Sequence, residues 1–314
     1  MIEATHLTKH FGRKVAVDNL SVQVLPGHVT GFLGPNGAGK STTMRLIMGL
    51  DHPSSGHVTV NGLPYSQHKD PLREVGALLD ARATHPGRSA RNHLRIIAAT
   101  QGISARRADE MLEMTGLASV ARKRVGNFSL GMGQRLGIAV ALLGDPKTLI
   151  LDEPINGLDP EGVMWVRNLL RSEAERGKTV FLSSHLMSEM EMVADQLIIL
   201  GKGKLLAQMP MQQFIDDASG VATRLASPQA TQIRDTIIGP GVSVVAIKRG
   251  VLYIEGMSAV QLGTLAARYG WVLYELTPQQ VSLEDAYVRL TEGSMEYTLH
   301  DYVPAEEPEK GSRR

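Results

Sequence analysis

The sequence contains no cysteine among its 314 residues, which excludes disulfides, thiolate metal sites and cysteine nucleophiles. It also has no apolar run approaching the roughly 20 residues that span a bilayer, and its start, MIEATHLTKHFGRK, lacks the apolar core of a signal peptide. We therefore expect a protein of a reducing compartment. If it acts at a membrane, we expect another chain to cross that membrane.

An excess of either charge is absent as well. Lysine and arginine number 33 against 32 aspartate and glutamate residues, and the formal net charge is +1. Such a balance gives no overall field that would attract nucleic acid or anionic lipid, so we expect no nucleic-acid partner. The length allows one large domain and a smaller one.

The apolar pattern of residues 1–215 predicts an α/β domain. Segments such as VAVDNLSVQV alternate as in an antiparallel sheet, and HVTGFL is typical of a short buried strand that precedes a glycine loop and a helix. Residues 90–144 have helical spacing and predict a helical subdomain. TLILDEP and TVFLSSH then predict two more strands, and the helix between them, over residues 161–176, suits a right-handed parallel crossover.

Residues 219–291 predict a small α+β accessory domain with the order β-α-β-β-α-β. VATRLA and WVLYEL are its first and last strands, VSVVAIKRGVLYIEG is a hairpin, and Ser258 caps the second helix. Ser227 before Pro228 is typical of an N-cap with proline at the first helical position, so it predicts the start of the first helix. The polar, proline-containing residues 298–314 predict a disordered tail.

The stretch GPNGAGKST is the first that indicates chemistry. It matches the phosphate-loop pattern G-x-x-x-x-G-K-S, in which glycines let backbone N–H groups face an anion at a helix N-terminus. Lys40 would supply charge to the β- and γ-phosphates, and the Ser41 hydroxyl would ligate Mg²⁺. A chance glycine turn is the alternative, which the strand-loop-helix context disfavours. The predicted nucleotide-binding residues here are Gly34, Pro35, Asn36, Gly37, Ala38, Gly39, Lys40, Ser41 and Thr42.

Asp152, Glu153 and His185 each follow a predicted strand, where ligands bind in doubly wound sheets. We expect Asp152 to hold Mg²⁺ through water and Glu153 to orient or deprotonate the attacking water. His185 would contact the γ-phosphate, so the predicted catalytic residues are Glu153, His185 and Lys40. By themselves, two acids after a strand also occur in solvated turns or helix caps, and His185 could be an ordinary, partly buried histidine.

NFSLGMGQRLGIAVALL contains a second candidate anion site. Ser129, Gly131 and Gly133 stand directly before a helix, and a helix N-terminus attracts anions. An N-cap serine with flexible glycines is the alternative interpretation.

With these motifs in this order, residues 2 to about 213 resemble the ATP-binding cassette family of ATPases. The chain is most similar to single-cassette subunits of antibiotic and multidrug exporters, and its small C-terminal domain resembles one found in that group. The resemblance implies a P-loop cassette with a RecA-like core, an antiparallel β subdomain and a helical subdomain. The roles that it implies are adenine stacking for Phe11, the Walker A loop for residues 34–42, the Q-loop for Asp80, the signature motif for Ser129 and Gly131, Walker B for Asp152 and Glu153, the D-loop for Asp159 and the switch histidine for His185.

Three motifs depart from the family pattern. Asp80 stands at the glutamine position of the Q-loop, where its carboxylate still offers oxygen to Mg²⁺ or water. Leu130 and Met132 change the signature, and Asn156 stands where the D-loop often has serine. Phe11 could equally belong to the core.

The resemblance further implies ATP and Mg²⁺ as cofactors and a head-to-tail homodimer of this subunit. ATP would lie between the Walker A loop of one chain and the signature of the other. We expect a peripheral protein on the cytoplasmic face of the cell membrane, which powers export of a drug, antibiotic or lipid-like compound through an integral-membrane permease. The alternatives are a soluble cassette ATPase that acts on a ribosome or DNA and a regulatory module without turnover. A GTPase is disfavoured, because the sequence has no N-K-x-D motif.

Overall fold

The computed structural model of the chain describes residues 1–81, 83–218, 221–280 and 283–291. The predicted tail, residues 298–314, lies outside the described residues. Residues 1–218 form β1 (Ile2–Phe11), β2 (Lys14–Val24), β3 (Val29–Leu33), α1 (Lys40–Ile47), β4 (Ser55–Val60), α2 (Pro71–Glu74), β5 (Val75–Leu78), α3 (Ala90–Thr100), α4 (Ala105–Met114), α5 (Leu130–Leu142), β6 (Thr148–Leu151), α6 (Pro160–Glu175), β7 (Thr179–Ser184), α7 (Met187–Val193), β8 (Gln196–Gly201), β9 (Lys204–Pro210) and α8 (Met211–Ala218).

A six-stranded sheet in the order β5-β6-β7-β3-β8-β9 forms the centre of this part. Its first five strands are parallel, and β9 is antiparallel to β8 at the edge. Every residue of β3, β6 and β7 is buried, as expected of parallel strands that are covered on both faces. The carboxyl ends of β6, β7 and β3 are therefore neighbours at one edge of the sheet.

Two smaller units flank this sheet, and both confirm the sequence prediction. The antiparallel sheet β2-β1-β4 contains the N-terminal strands. The helical subdomain consists of α3, α4 and α5, whose buried side chains include Leu94, Met111 and Leu136. Ser89 and Ser104 cap α3 and α4 by accepting hydrogen bonds from backbone N–H groups three residues later.

Residues 221–280 form an antiparallel sheet with the order β11-β12-β10-β13. Its elements are β10 (Val221–Ala226), α9 (Ala230–Ile237), β11 (Ser243–Lys248), β12 (Val251–Glu255), α10 (Ala259–Tyr269) and β13 (Glu275–Gln280). The predicted order of elements is confirmed, as is the cap at Ser258, whose hydroxyl accepts from the Gln261 N–H in a capping box.

Two boundaries in this domain were predicted wrongly. The first helix begins at Ala230 after Gln229, because the Ser227 hydroxyl accepts from the Gln229 N–H in a preceding turn and does not cap the helix. The last strand begins at Glu275, since Trp271 is buried in the core of the small domain and the chain joins the sheet only after it.

A final helix, α11 (Leu283–Thr291), was not identified from the sequence. It packs against α7 and α8 of the first domain. Tyr287 of this helix is buried in the same apolar cluster as Met187 and Phe214. The chain therefore returns to the first domain after completing the small sheet.

Candidate functional site

The phosphate loop, Asp152 and His185 meet at the carboxyl edge of the central sheet. The loop follows β3, while Asp152 and His185 directly follow β6 and β7. In the parallel register Leu33 lies beside Ser184, and Leu151 lies beside Leu182. The residues expected to follow the ends of parallel strands therefore lie together in the structure.

The loop needs glycine at the position that starts α1. Gly39 is the N-cap residue with φ +101°, and a Cβ there would lie 2.4 Å from the carbonyl oxygen of Ala16. Gly37 also has a positive φ of +85°, a conformation that residues with a Cβ seldom adopt. The glycines thus leave the backbone N–H groups at the start of α1 free of side-chain cover, as anion binding requires.

Lys40 is the first residue of α1, and its side chain is 7% exposed. Its Nζ donates a hydrogen bond to the Gly34 carbonyl oxygen at 2.6 Å and lies 3.9 Å from Glu153 Oε1. Burial lowers the pKa of Lys40, and the carboxylates of Glu153 and Asp152 partly oppose that shift. The ammonium thus lies inside the loop next to Glu153, the candidate catalytic base.

Glu153 and His185 are in contact. His185 Nδ1 lies 3.0 Å from Glu153 Oε2, and the two side chains are 39% and 24% exposed. Glu153 has φ +49°, a left-handed conformation that is uncommon for a residue with a side chain. This turn directs its carboxylate towards both Lys40 and His185.

A cleft of about 420 Å³ lies over the loop, a volume suited to a small-molecule ligand. It is lined by Phe11, Lys14, Ala16, residues 35–42 and Glu153. Phe11 is 49% exposed, so it lines the cleft and is not part of the core. The Lys9 ammonium lies 4.9 Å from the centre of its ring.

The oxygen donors at this edge fit a hard cation. Ser41 has an exposed hydroxyl in the cleft, and Asp152 accepts a hydrogen bond from the Ser183 hydroxyl. Among the described residues no group of three or more His, Cys, Asp or Glu side chains could hold a metal ion. One or two protein oxygens are what Mg²⁺ uses when phosphates and water complete its shell.

Asp80 lies at the same edge but outside the cleft. It follows β5 by two residues and is exposed, and the backbone N–H of Asp152 donates to the Leu78 carbonyl at 2.7 Å. Asp80 is therefore close to Asp152 along the edge of the sheet, although it does not line the cleft over the loop.

Ser129, Gly131 and Asp159 line a second cleft of about 440 Å³. Ser129 is the N-cap of α5 and accepts from the Met132 N–H, and Asp159 is the N-cap of α6 and accepts from the Gly162 N–H. The two clefts have no lining residue in common. Within one chain, the candidate signature residues and the phosphate loop therefore form separate surfaces.

Sequence reasoning missed two residues that contact the Glu153 backbone. Ser183 Oγ accepts from the Glu153 N–H at 3.0 Å, and Gln134 Nε2 donates to the Glu153 carbonyl at 3.0 Å. Gln134 stands in the signature segment, but its spacing in the sequence gives no sign that it reaches the turn after β6.

Comparison with known families gives matches in both parts of the chain. Residues 17–156 match the ABC transporter family, and residues 123–191 match an AAA domain family. Residues 221–284 match a domain of unknown function, DUF8746.

Curated relatives and solved structures agree with the family match. The bacitracin transport ATP-binding protein of Bacillus licheniformis is 46% identical over 217 residues, which are 68% of this chain and 71% of the relative. An uncharacterised ABC transporter ATP-binding protein of Bacillus subtilis is 36% identical and covers 96% of this chain and 99% of its own length. A dimeric ATP-binding cassette bound to ADP and phosphate has the same fold, with a TM-score of 0.61 at 23% identity over 67% of this chain and 99% of its own.

Within the described ranges, no helix is both long enough and apolar enough to cross a membrane.

Proposed function

The chain belongs to the ATP-binding cassette family of transporter ATPases, and from this premise we propose that it powers export through a separate permease. It binds ATP and hydrolyses it to ADP and phosphate. We propose that the exported substrates are drugs, antibiotics or lipid-like compounds. The bacitracin transport protein among the relatives of this chain supports this proposal. The observation that supports hydrolysis most strongly is the Glu153 carboxylate in the cleft over the phosphate loop, 3.9 Å from Lys40 and 3.0 Å from His185.

The side chains in and around the cleft have separate roles in phosphoryl transfer to water. The loop N–H groups and Lys40 bind the phosphates, and charge-assisted contacts of this kind are the strong ones. Glu153 orients the attacking water and accepts its proton, and His185, in contact with Glu153, binds the γ-phosphate. Phe11, on the rim, stacks on the adenine.

Ser41 and Asp152 would hold Mg²⁺, with Asp80 as a further oxygen donor at the same edge. The ion would neutralise charge on the β- and γ-phosphates.

Lys40 would have to move when ATP binds. Because its ammonium already contacts the Gly34 carbonyl and approaches Glu153, it must turn towards the phosphates when they bind.

The active assembly that we propose is a head-to-tail homodimer on an integral-membrane permease. In this arrangement Ser129 and Gly131 of one chain close over the ATP that the other chain's loop holds, with Asp159 at the contact. Two observations support it: the signature cleft and the loop cleft are separate in one chain, and a cassette of the same fold is dimeric. The peripheral site at the cytoplasmic face of the membrane follows from this partner. The formal net charge of +1 supports a partner other than nucleic acid.

Two measurements test the proposal. Purified protein should release phosphate from Mg-ATP, and chelation of the metal should stop the release. In membranes of cells that express the chain, a cross-linker attached at a cysteine in place of Asp80 should capture an integral-membrane protein, whereas a cysteine in place of the distant, exposed Lys147 should not. Phosphate release without any membrane capture would favour a cassette ATPase that acts on a different partner.

A further inference from the structure

Glu153 adopts a backbone conformation that needs support. Its φ of +49° lies in the left-handed region, where the backbone of a residue with a side chain is strained. Strain of this kind persists where the surrounding structure fixes the residue from several sides. Two side chains from different elements do so here, one at the N–H and the other at the carbonyl of Glu153.

Ser183 holds the N–H side. It is 0% exposed on β7, and the register that places Leu182 beside Leu151 brings it next to Asp152. Its hydroxyl accepts from the Glu153 N–H at 3.0 Å and donates its own proton to Asp152 Oδ1. A single buried hydroxyl therefore fixes the candidate metal ligand Asp152 and the candidate catalytic base Glu153 relative to each other.

Gln134 holds the carbonyl side. It lies in the second turn of α5 and is 6% exposed. Its Nε2 donates to the Glu153 carbonyl at 3.0 Å and to the Asn156 carbonyl at 3.3 Å. The helix that begins at Ser129 is thereby connected to the turn that carries the catalytic carboxylate in the same chain.

We infer that Ser183 and Gln134 are positioning residues for ATP hydrolysis, acting through the Asp152–Glu153 turn. The inference rests on the proposed function and adds two residues to it. Ser183 sets the Asp152 oxygen that would face the ion, and both residues set the direction of the Glu153 carboxylate. Loss of either contact should affect turnover more than ATP affinity, because a small misplacement of a reacting group costs rate while the loop still binds the phosphates.

Ser183→Ala gives the first test, with Thr179→Val as the matched control. Thr179 is buried at the other end of the same strand, and its hydroxyl accepts a hydrogen bond from the Met1 ammonium, so its substitution removes one buried polar contact far from the site. We expect Ser183→Ala to lower kcat about 10- to 100-fold, the usual cost of losing a partner of a metal ligand, with KM for ATP within about threefold of wild type. Ser183→Thr, which retains the hydroxyl, should restore most of the rate.

A binding measurement separates positioning from general destabilisation. The Mg²⁺ concentration for half-maximal binding of a fluorescent ATP analogue should rise several-fold in Ser183→Ala and stay unchanged in Thr179→Val, with thermal unfolding recorded for both. For Gln134 we use Gln134→Met, which retains length but has no amide. It should lower kcat at constant KM and leave the Mg²⁺ dependence unchanged.

The outcomes are distinct. Suppose that the wild type releases phosphate. The inference alone would then be overturned if Ser183→Ala and Gln134→Met release it at the wild-type rate. It would also be overturned if Thr179→Val lost as much kcat as Ser183→Ala. If Ser183→Ala does not fold, Gln134→Met decides by the same kcat and KM criteria. Absence of phosphate release from the wild type would instead overturn the proposed function.

Discussion

Lys40 is a lysine in an unusual environment, because its ammonium is almost completely buried between carbonyl and carboxylate oxygens. We expect Lys40→Ala to weaken ATP binding about 10- to 100-fold, since hydrogen bonds from a charged donor contribute about 1.5–3 kcal/mol. A fluorescent nucleotide titration in the presence of Mg²⁺ measures the change.

Lys147→Ala is the matched control for that titration. Lys147 is 70% exposed, pairs with Glu74 and follows the helical subdomain at the start of β6, away from the cleft. Its substitution removes the same charge from the protein and should leave ATP affinity unchanged. Equal affinities of all three proteins would contradict the role assigned to Lys40.

The sequence predicted those site residues whose role is visible in a local pattern. Gly39 and Lys40 belong to a contiguous motif, and Glu153 directly follows a predicted strand, so their types and spacing were sufficient. Ser183 and Gln134 could not be found this way. Their contacts depend on the register between β6 and β7 and on where α5 lies over the turn, which tertiary packing decides.

At the scale of elements, α11 is the helix whose packing has the clearest consequence. It lies against α7, which starts two residues after His185. Tyr287 is 8% exposed in the shared apolar cluster, and its hydroxyl has no hydrogen-bond partner among the described residues. Burial raises the pKa of Tyr287 to about 12 from its ordinary value of 10.

Two substitutions of Tyr287 should therefore act in opposite ways. Tyr287→Phe keeps the packing and removes an unpaired buried hydroxyl, so stability at pH 7 should be unchanged or slightly higher. Tyr287→Ala leaves a cavity and should cost about 3–5 kcal/mol. Urea unfolding at pH 7 measures the free energy of unfolding of both variants. A clear loss of stability in Tyr287→Phe relative to wild type would mean that the hydroxyl has a hydrogen-bond partner.

The raised pKa also predicts a dependence on pH. The folded state favours the protonated phenol, so the stability tied to Tyr287 is complete below pH 10 and is lost as the pH rises from 10 towards 12. Tyr287→Phe has no proton to lose at this position. Between pH 10 and 12 the melting temperature of the wild type should therefore fall more than that of Tyr287→Phe. A difference between the two melting temperatures that stays constant over this range would contradict the prediction.

Element boundaries were less predictable than element order. The pattern S-P before an apolar run predicted a helix with Ser227 as its N-cap, but α9 begins two residues later than predicted, after a turn. WVLYEL is apolar except for Glu275, and only the position of Trp271 in the core shows that its first residues precede the strand. α11 was missed because a short amphipathic segment gains its stability from the surface of the first domain.

At the scale of the whole molecule, one chain would hold two half-sites in the assembly that we propose. The cleft over the phosphate loop and the cleft beside Ser129 share no residue, and each is open to the surface. A second copy in head-to-tail orientation would bring the missing half to each loop. Closure would then depend on bound ATP, and hydrolysis would release it.

Glu153→Gln should separate binding from turnover in this assembly. Glutamine retains the size of the side chain but cannot accept a proton from water as a carboxylate does, so turnover should fall about 10²- to 10⁴-fold while ATP still binds. Removal of the negative charge next to Lys40 and the phosphates also favours the bound state. With ATP retained, mass action should accumulate the closed dimer.

Size-exclusion chromatography in Mg-ATP, with phosphate release measured in parallel, tests this cycle. The Glu153→Gln variant should elute as a dimer in ATP and as a monomer without it, whereas the wild type should return to monomer as ATP is consumed. Glu189→Gln is the control, because Glu189 is a carboxylate on α7 that accepts from the Ser184 hydroxyl and does not line the cleft over the loop. Hydrolysis at the wild-type rate by Glu153→Gln would refute the catalytic role of this carboxylate, because ATP would then be hydrolysed and the dimer would open without it.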